Sequence, residues 1–282
     1  MKKHKNILVI GLGMMGASLC KSIKKHNITE RISGYDTDPS TLKYAISKNI
    51  INDAVVDYST MDHPDMIILC NPISTYIDTI KSLLLFINKK TLLTDIASSK
   101  GKTHSKLISM TKKTKINYIS SHPMVGSEKS GIKSLKGDIF KDKIVFIIDK
   151  DKSSRANYIN LREFWKSLGS ATYHLDSKKH DRLMSQTSHI AHLMAYIFIQ
   201  SLPPSVIDEN LPLLMGGGIR EHVRLSQSNP KMWTDIFINN KINILKSLNH
   251  IQENMGRFKT LLNTSEEKQI IAFLENILAK TQ

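Results

Sequence analysis

The six residues Gly11-Leu12-Gly13-Met14-Met15-Gly16 form a GxGxxG pattern between the apolar run Asn6 to Ile10 and a helix-like stretch, Ala17 to Lys25. Strand, glycine turn and helix in that order suit a dinucleotide. Gly11 permits the tight turn, Gly13 lets a pyrophosphate approach the backbone, and Gly16 lets the helix pack closely on the strand. The free amides at the helix start, where Met14 and Met15 stand, favour phosphate charge. Asp36 follows about 20 residues on, at the end of a second apolar run, Arg31 to Tyr35. Its carboxylate would accept from ribose hydroxyls and repel a 2′-phosphate, and no arginine follows in Thr37-Asp38-Pro39, so NAD is preferred over NADP. The competing role for Asp36 is a turn residue or helix cap, which Asp38 could equally fill. Asn71 and Pro72 are assigned to the same cofactor site.

Two further segments follow predicted strands, where open α/β sheets place their ligands. They are Thr94-Asp95-Ile96-Ala97-Ser98-Ser99-Lys100 and Ser120-Ser121-His122-Pro123-Met124-Val125-Gly126-Ser127-Glu128. An imidazole near neutrality suits proton removal, and a hydroxyl beside it can hold substrate and base in line. On spacing alone, His122 could equally be a strand-end histidine satisfied by backbone and Ser98 a helix cap. Later in the chain, Arg224 and Arg220 offer planar forks that grip a carboxylate as lysine does not, with an exposed helix face as the competing role. His189 and His192 lie three apart on one predicted helix face. A zinc site built from His180, His189 and His192 lacks a carboxylate ligand at a matching position and any HExxH pattern, so no metal is expected. Helix packing is the plainer role for those histidines.

Positioning these residues needs a parallel, doubly wound α/β sheet, predicted from strands at Asn6 to Ile10, Arg31 to Tyr35, Met66 to Leu69, Thr91 to Thr94 and Ile144 to Ile148. Helices are expected between them, for example at Ser74 to Phe86 and Ser154 to Leu168. After Leu175 the pattern changes to long helices, Asp181 to Leu202 and Lys231 to Glu253, with Pro203-Pro204 and Gly216-Gly217-Gly218 as interruptions. Two domains follow: a Rossmann domain over 1–176 and an all-α domain over 177–282.

The 282 residues carry a net charge of +15, but only seven of the 40 basic residues are arginine, and aromatics do not interleave with the lysines as a stacking platform requires. Nucleic acid is therefore not expected as a partner, whereas anionic metabolites are compatible with the charge. Cys20 and Cys70 are too few and too far apart for a disulfide framework, which fits a reducing cytoplasm. Lys2, Lys3 and Lys5 before the run Ile7 to Cys20 imitate a secretory signal that even ends in a lipobox-like Ala17-Ser18-Leu19-Cys20. The glycine pattern accounts for that run better, and cleavage there would delete the first strand. No other stretch reaches the about 20 apolar residues of a membrane span.

The chain resembles the prephenate/arogenate dehydrogenase family. Its two segments are similar to the family's Asp-x-Gly-Ser-x-Lys and Ser-His-Pro-Met-x-Gly-x-Glu motifs. His180-Asp181, Ser188-His189-Ile190-Ala191-His192, Gly216-Gly217-Gly218-Ile219-Arg220-Glu221, Arg224 and Met232-Trp233-Thr234-Asp235-Ile236-Phe237 continue the likeness in order. The resemblance implies oxidative decarboxylation of prephenate, with arogenate, or both substrates, as the alternative. It makes His122 the base, Ser98 its hydroxyl partner and Arg224 the carboxylate-binding arginine, with Arg220 at a more variable position. Ser188, His189 and His192 would line the substrate pocket, and Trp233 would lie near the pocket and the subunit interface of a homodimer built from the helical domain. Ala97, Ala191 and Ile219 depart from the family's usual Gly, Pro and Phe, and none of these removes a reacting group. A β-hydroxyacid dehydrogenase would instead need a catalytic lysine on a mid-chain helix with a nearby asparagine, and a catalytically silent NAD-sensing module would lack Ser98, His122 or Arg224.

Overall fold

The computed structural model describes residues 4–126, 129–148, 154–204, 216–264 and 266–281. Ser127 and Glu128, at the end of the His122 segment, lie outside the described residues. Six strands form one parallel sheet: β1 (His4–Ile10), β2 (Thr29–Tyr35), β3 (Asp53–Val55), β4 (Met66–Leu69), β5 (Leu92–Asp95) and β6 (Asn117–Tyr118), in the spatial order β3-β2-β1-β4-β5-β6. All four residues of β4 and of β5 are buried, as expected of strands covered on both faces.

Alternate residues of β1 feed two separate cores. Ile7 and Val9 face α1 (Met14–Lys25), through Ala17, Leu19 and Ile23, and α5 (Arg155–Ser167), through Leu161, Phe164 and Trp165. Leu8 and Ile10 face α3 (Tyr76–Leu83), through Tyr76, Ile80 and Leu83, and α4 (Gly101–Thr114), through Leu107. Helices on both faces make the sheet doubly wound. Between β1 and β4 the connections diverge to opposite sides, which opens a crevice beyond the carboxyl ends of those two strands.

The run Ile144 to Ile148 does form a strand, β8, but not in the main sheet. It pairs antiparallel with β7 (Ser120–Pro123) and parallel with β9 (Ala171–Leu175) in a separate three-stranded sheet. An apolar run specifies burial, not the partner or its direction, so the sequence pattern could not assign this strand. Side chains nonetheless tie β7 to the end of β5: Ser121 Oγ donates to the Asp95 carbonyl at 2.7 Å and lies 3.2 Å from Thr94 Oγ1.

Beyond β9 the described residues form helices and the turns between them. Asp176 caps α6 (Ser177–Met184), accepting from the Lys179 amide at 2.9 Å. The single helix expected over Asp181 to Leu202 is instead α6, a π-helical turn at Ser185–His189 and α7 (Ile190–Gln200). The expected Lys231 to Glu253 helix divides at Asn240 into α9 (Pro230–Asn239) and α10 (Lys241–Thr264); α8 (Gly217–Ser226) precedes it and α11 (Glu267–Thr281) follows. Among the described residues no helix is long and apolar enough to cross a membrane.

The glycine turn admits little change. A Cβ on Gly16 would lie 1.9 Å from the Gly11 carbonyl oxygen, a backbone atom that cannot swing aside. Gly16→Ala should therefore cost at least about 1–3 kcal/mol, the usual scale of overpacking, and lower the urea midpoint. An unchanged midpoint would contradict this packing.

Candidate active site

The glycine turn lies at the mouth of the crevice. Gly11 has φ +90°, and a Cβ there would strike the Asn71 amide nitrogen at 2.5 Å, so the turn and the loop after β4 are in direct contact. A Cβ on Gly13 would meet nothing within 4 Å. Gly13 N-caps α1 without a side-chain bond, leaving the first-turn amides of Met14, Met15 and Gly16 for an anion. Asp36, just past β2, accepts from the amides of Leu12 at 2.7 Å and Asp38 at 3.0 Å, which ties it to the turn. Asp38, not Asp36, caps α2 (Pro39–Ser47). Asn71 donates from Nδ2 to Thr75 and Thr79, while its buried Oδ1 has no partner among the described residues. Pro72 is exposed beside it. The open approach at Gly13, the uncapped helix start and the orphaned Asn71 oxygen fit a dinucleotide's phosphates and sugar.

A buried ion pair shapes the loop that carries Ser98. Lys100 and Asp95 are each 1% exposed, and Lys100 Nζ donates to Asp95 Oδ1 at 2.9 Å, to the Ala97 carbonyl at 2.7 Å and to the Ser121 carbonyl at 2.9 Å. Three protons meet three acceptors, so the ammonium is fully satisfied. The other Asp95 oxygen accepts from Tyr118 Oη at 2.6 Å. Burial pushes the Asp95 carboxyl up, but Lys100 and the hydrogen bonds around it outweigh burial and hold it below its ordinary range. Through Lys100, the half-buried Ser98 loop is stapled to β7, one residue from His122.

His122 is 7% exposed on β7, and its Nδ1 lies 2.9 Å from Nε2 of His180 on α6. The two rings meet edge to face, and Phe146, opposite His122 in the β7–β8 register, packs edge-on against His180. His180 Nδ1 in turn lies 2.9 Å from Asp181 Oδ1. Burial above all, then His180, Lys100 and His189, pull the His122 imidazole well below its usual pKa, so it is neutral at pH 7.

The remaining site residues expected from the sequence lie on α7, the π turn, α8 and α9. Trp233, 5% exposed, stacks on His192 at 3.9 Å and meets His189 edge-on at 6.1 Å. The π turn, a feature common at functional sites, carries Ser188 and His189. The Ser188 carbonyl accepts from His192 Nδ1 at 3.0 Å. Asn240 Nδ2 donates to the Asp181 carbonyl at 2.7 Å, which fixes that amide's orientation, and it lies 3.1 Å from His189 Nδ1. His189 Nδ1 must then be the acceptor, and its proton sits on Nε2, on the side of the Ser98 backbone. Burial lowers the His189 pKa to about 4. Arg224, on α8, is about half exposed and holds Glu221 bidentately, Nε to Oε2 at 2.9 Å and Nη2 to Oε1 at 2.6 Å. Its charge also lowers the pKa of His192, after burial. An exposed i,i+3 pair of this kind is worth only about 0.2–1 kcal/mol.

Trp233 thus joins His189 to His192, the charge of Arg224 reaches His192 and that of His189 reaches His122, and Ser98 stands on the loop stapled to β7. Sequence reading assigns no role to the residues that hold these side chains in place: Asp95, Lys100 and Asp181 stand only within the family motifs, and Asn240 stands in none.

The strand order, the glycine crevice and the helical body define a nucleotide-binding oxidoreductase fold of two parts. A family model described as prephenate dehydrogenase, nucleotide-binding domain, matches residues 19–174, and one described as prephenate dehydrogenase, dimerization domain, matches residues 176–276. The chain belongs to the prephenate dehydrogenase family. It is 28% identical over 273 residues to a prephenate dehydrogenase of Lactococcus lactis, covering 96% of this chain and 75% of the relative. A cyclohexadienyl dehydrogenase of Zymomonas mobilis is 22% identical over 274 residues, covering 94% and 91%. The crystal structure of Aquifex aeolicus prephenate dehydrogenase with hydroxyphenyl propionate and NAD+ superposes with a TM-score of 0.89 at 26% identity, covering 98% of this chain and 97% of that one.

The buried histidines make stability depend on pH. His122, His180 and His189 all have depressed pKa values, burial being the largest cause in each. As pH falls below about 6.5, the unfolded chain binds protons that the folded chain refuses, so folding loses free energy on the order of 1 kcal/mol per pH unit per histidine. Tm should be level from pH 8 to 7 and fall steadily from pH 6.5 to 5, with a shallower fall in His189→Gln. A Tm that rises on acidification would contradict the buried, neutral histidines.

Proposed function

We propose that this chain catalyses the NAD-dependent oxidative decarboxylation of prephenate to 4-hydroxyphenylpyruvate. The observation that carries the reading is the neutral, buried His122 beside the Ser98 loop, with His189, Trp233 and His192 packed together on the helices that follow. NAD would be held by the turn of Gly11, Gly13 and Gly16, by the amides of Met14 and Met15, by Asp36 at the ribose and by Asn71 and Pro72 along the crevice. When bound, it supplies the acceptor for the hydride that leaves the ring carbon bearing the hydroxyl.

The chain's own residues manage the proton and the charges. His122 takes the hydroxyl proton as general base, and Ser98 holds that hydroxyl in line. The ring carboxylate leaves as carbon dioxide, the electrons of the broken bond aromatise the ring and place the charge on the ring oxygen, and that phenolate takes back the proton held by His122. Arg224 binds a substrate carboxylate in place of Glu221, the Nε2 proton of His189 donates to the substrate, and Ser188, His192 and Trp233 wall the pocket. Arogenate differs only in carrying an amino group where prephenate has a keto group. The similarity to a cyclohexadienyl dehydrogenase makes it the second substrate to assay.

We assign residues 1–176 to the nucleotide-binding domain and 177–282 to the helical domain, supported by the Asp176 cap and by family-model matches that meet at the same place. The helical domain would pair two chains into a homodimer. The apolar residues exposed on α10 and α11, Met255, Leu262, Leu274 and Leu278, support this, and sedimentation should give the mass of two chains rather than one. A cytoplasmic location fits the two free cysteines.

Steady-state kinetics separates the roles. His122→Asn should lower kcat for prephenate by about 100-fold or more and leave NAD binding intact. Arg224→Lys should raise KM for prephenate, because a point charge replaces a bidentate fork. Near-native turnover in the first variant, or an unchanged KM in the second, would remove that residue from its role. Absence of prephenate-dependent NADH formation by the unaltered chain would overturn the reading as a whole.

A further inference from the structure

His122 can act as a base only through a nitrogen that bears a lone pair, and a neutral imidazole has one such nitrogen and one N–H. Which is which depends on what its other nitrogen touches. For His122 that neighbour is another histidine, and the ambiguity passes along a chain until a group of fixed character ends it.

Asp181 is that group. Its Oδ1 accepts from the Lys100 amide at 2.9 Å and its Oδ2 from the Gly101 amide at 2.6 Å, so a carboxylate from the helical domain caps the N-terminus of α4 in the other domain. Burial raises the Asp181 pKa, but the His180 hydrogen bond and these amides outweigh it and hold the carboxyl below its ordinary range. The positive end of a 14-residue helix adds to that preference. An ionised carboxylate only accepts.

From that end the assignments run in one direction. His180 Nδ1, 2.9 Å from Asp181 Oδ1, must carry a proton and donate it. His180 Nε2 is then the acceptor, and His122 Nδ1, 2.9 Å away, must donate to it. His122 Nε2 is left with the lone pair. We propose that Asp181 and His180 are positioning residues that fix His122 as its Nδ1–H tautomer, so that Nε2 is the nitrogen that receives the substrate proton. Neither residue touches the reacting atoms. The inference deepens the reading of His122 as the base and rests on it for its catalytic meaning, whereas the tautomer itself is a property of the protein without substrate.

Full-length protein labelled with 15N in histidine tests the tautomer directly by NMR at pH 7.5, with the His122 resonances assigned by their loss in His122→Asn. The wild type should show a protonated Nδ1 and a bare Nε2. His180→Leu, which keeps bulk and removes the acceptor, should lose that pattern and lower kcat for prephenate about ten-fold or more, with KM within about two-fold. His180→Gln, whose amide oxygen can accept from His122, should recover most of the lost kcat. A protonated Nε2 in the wild type overturns the proposal, as does wild-type turnover in His180→Leu. If His180→Leu fails to fold, the wild-type spectrum decides alone. A bare Nε2 in a protein that leaves prephenate unoxidised upholds the positioning and refutes the substrate instead.

Discussion

Asp181 belongs to the first helix after the strands, yet its side chain serves the half of the molecule before it. The carboxylate accepts the amides of Lys100 and Gly101 and thereby fixes where α4 starts. Because α4 starts there, the loop before it is held in the short span between Asp95 and Lys100 that presents Ser98. The same oxygen that accepts from the Lys100 amide also accepts from His180, so one group sets the geometry of the Ser98 loop and the orientation of the His180 and His122 rings. The Asp181 carbonyl adds a third tie through Asn240, whose amide settles the tautomer of His189. Remove the charge from this position and a helix start, two imidazoles and the contact between domains all lose their reference.

Such a site is costly to bury and must be satisfied throughout. Lys100 and Asp95 form a pair whose partners are complete, and breaking a buried pair on one side typically costs about 3–5 kcal/mol. The histidines are accommodated the other way, by staying neutral. Several bonds cross between the two parts of the chain: Ser74 Oγ donates to Asp235 at 2.6 Å, and Asn239 reaches Ser99 and accepts from Thr103. The loop after β4 and the helix carrying Trp233 are therefore tied to each other without any covalent link nearer than the β9–α6 junction.

Much of this was legible in the sequence. The glycine pattern, its flanking strand and helix, and Asp36 placed the crevice because each glycine answers a steric need that reads locally. His122, Ser98 and the later motifs were found by resemblance, since an isolated histidine or serine has too many ordinary roles. What stayed hidden is what depends on three-dimensional partners. The run Ile144 to Ile148 reads as a buried strand, but nothing in it names β7 and β9 as neighbours. The π turn at Ser185–His189 leaves no period that differs detectably from an α-helix over five residues. Asp181 stands in a family motif without a role, and only the approach of α4 reveals a cap.

The central claim is that a histidine kept neutral by burial is the base of the reaction. The pH dependence of kcat/KM for prephenate tests it most directly, because that profile reports groups of the free enzyme. With the pKa of His122 held well below 6.5, the profile should stay flat as pH falls from 8 through 6.5 and bend down with unit slope only beyond that point. That bend should be absent from the residual activity of His122→Asn. A bend at or above pH 6.5, or one that persists unchanged in His122→Asn, would contradict the account.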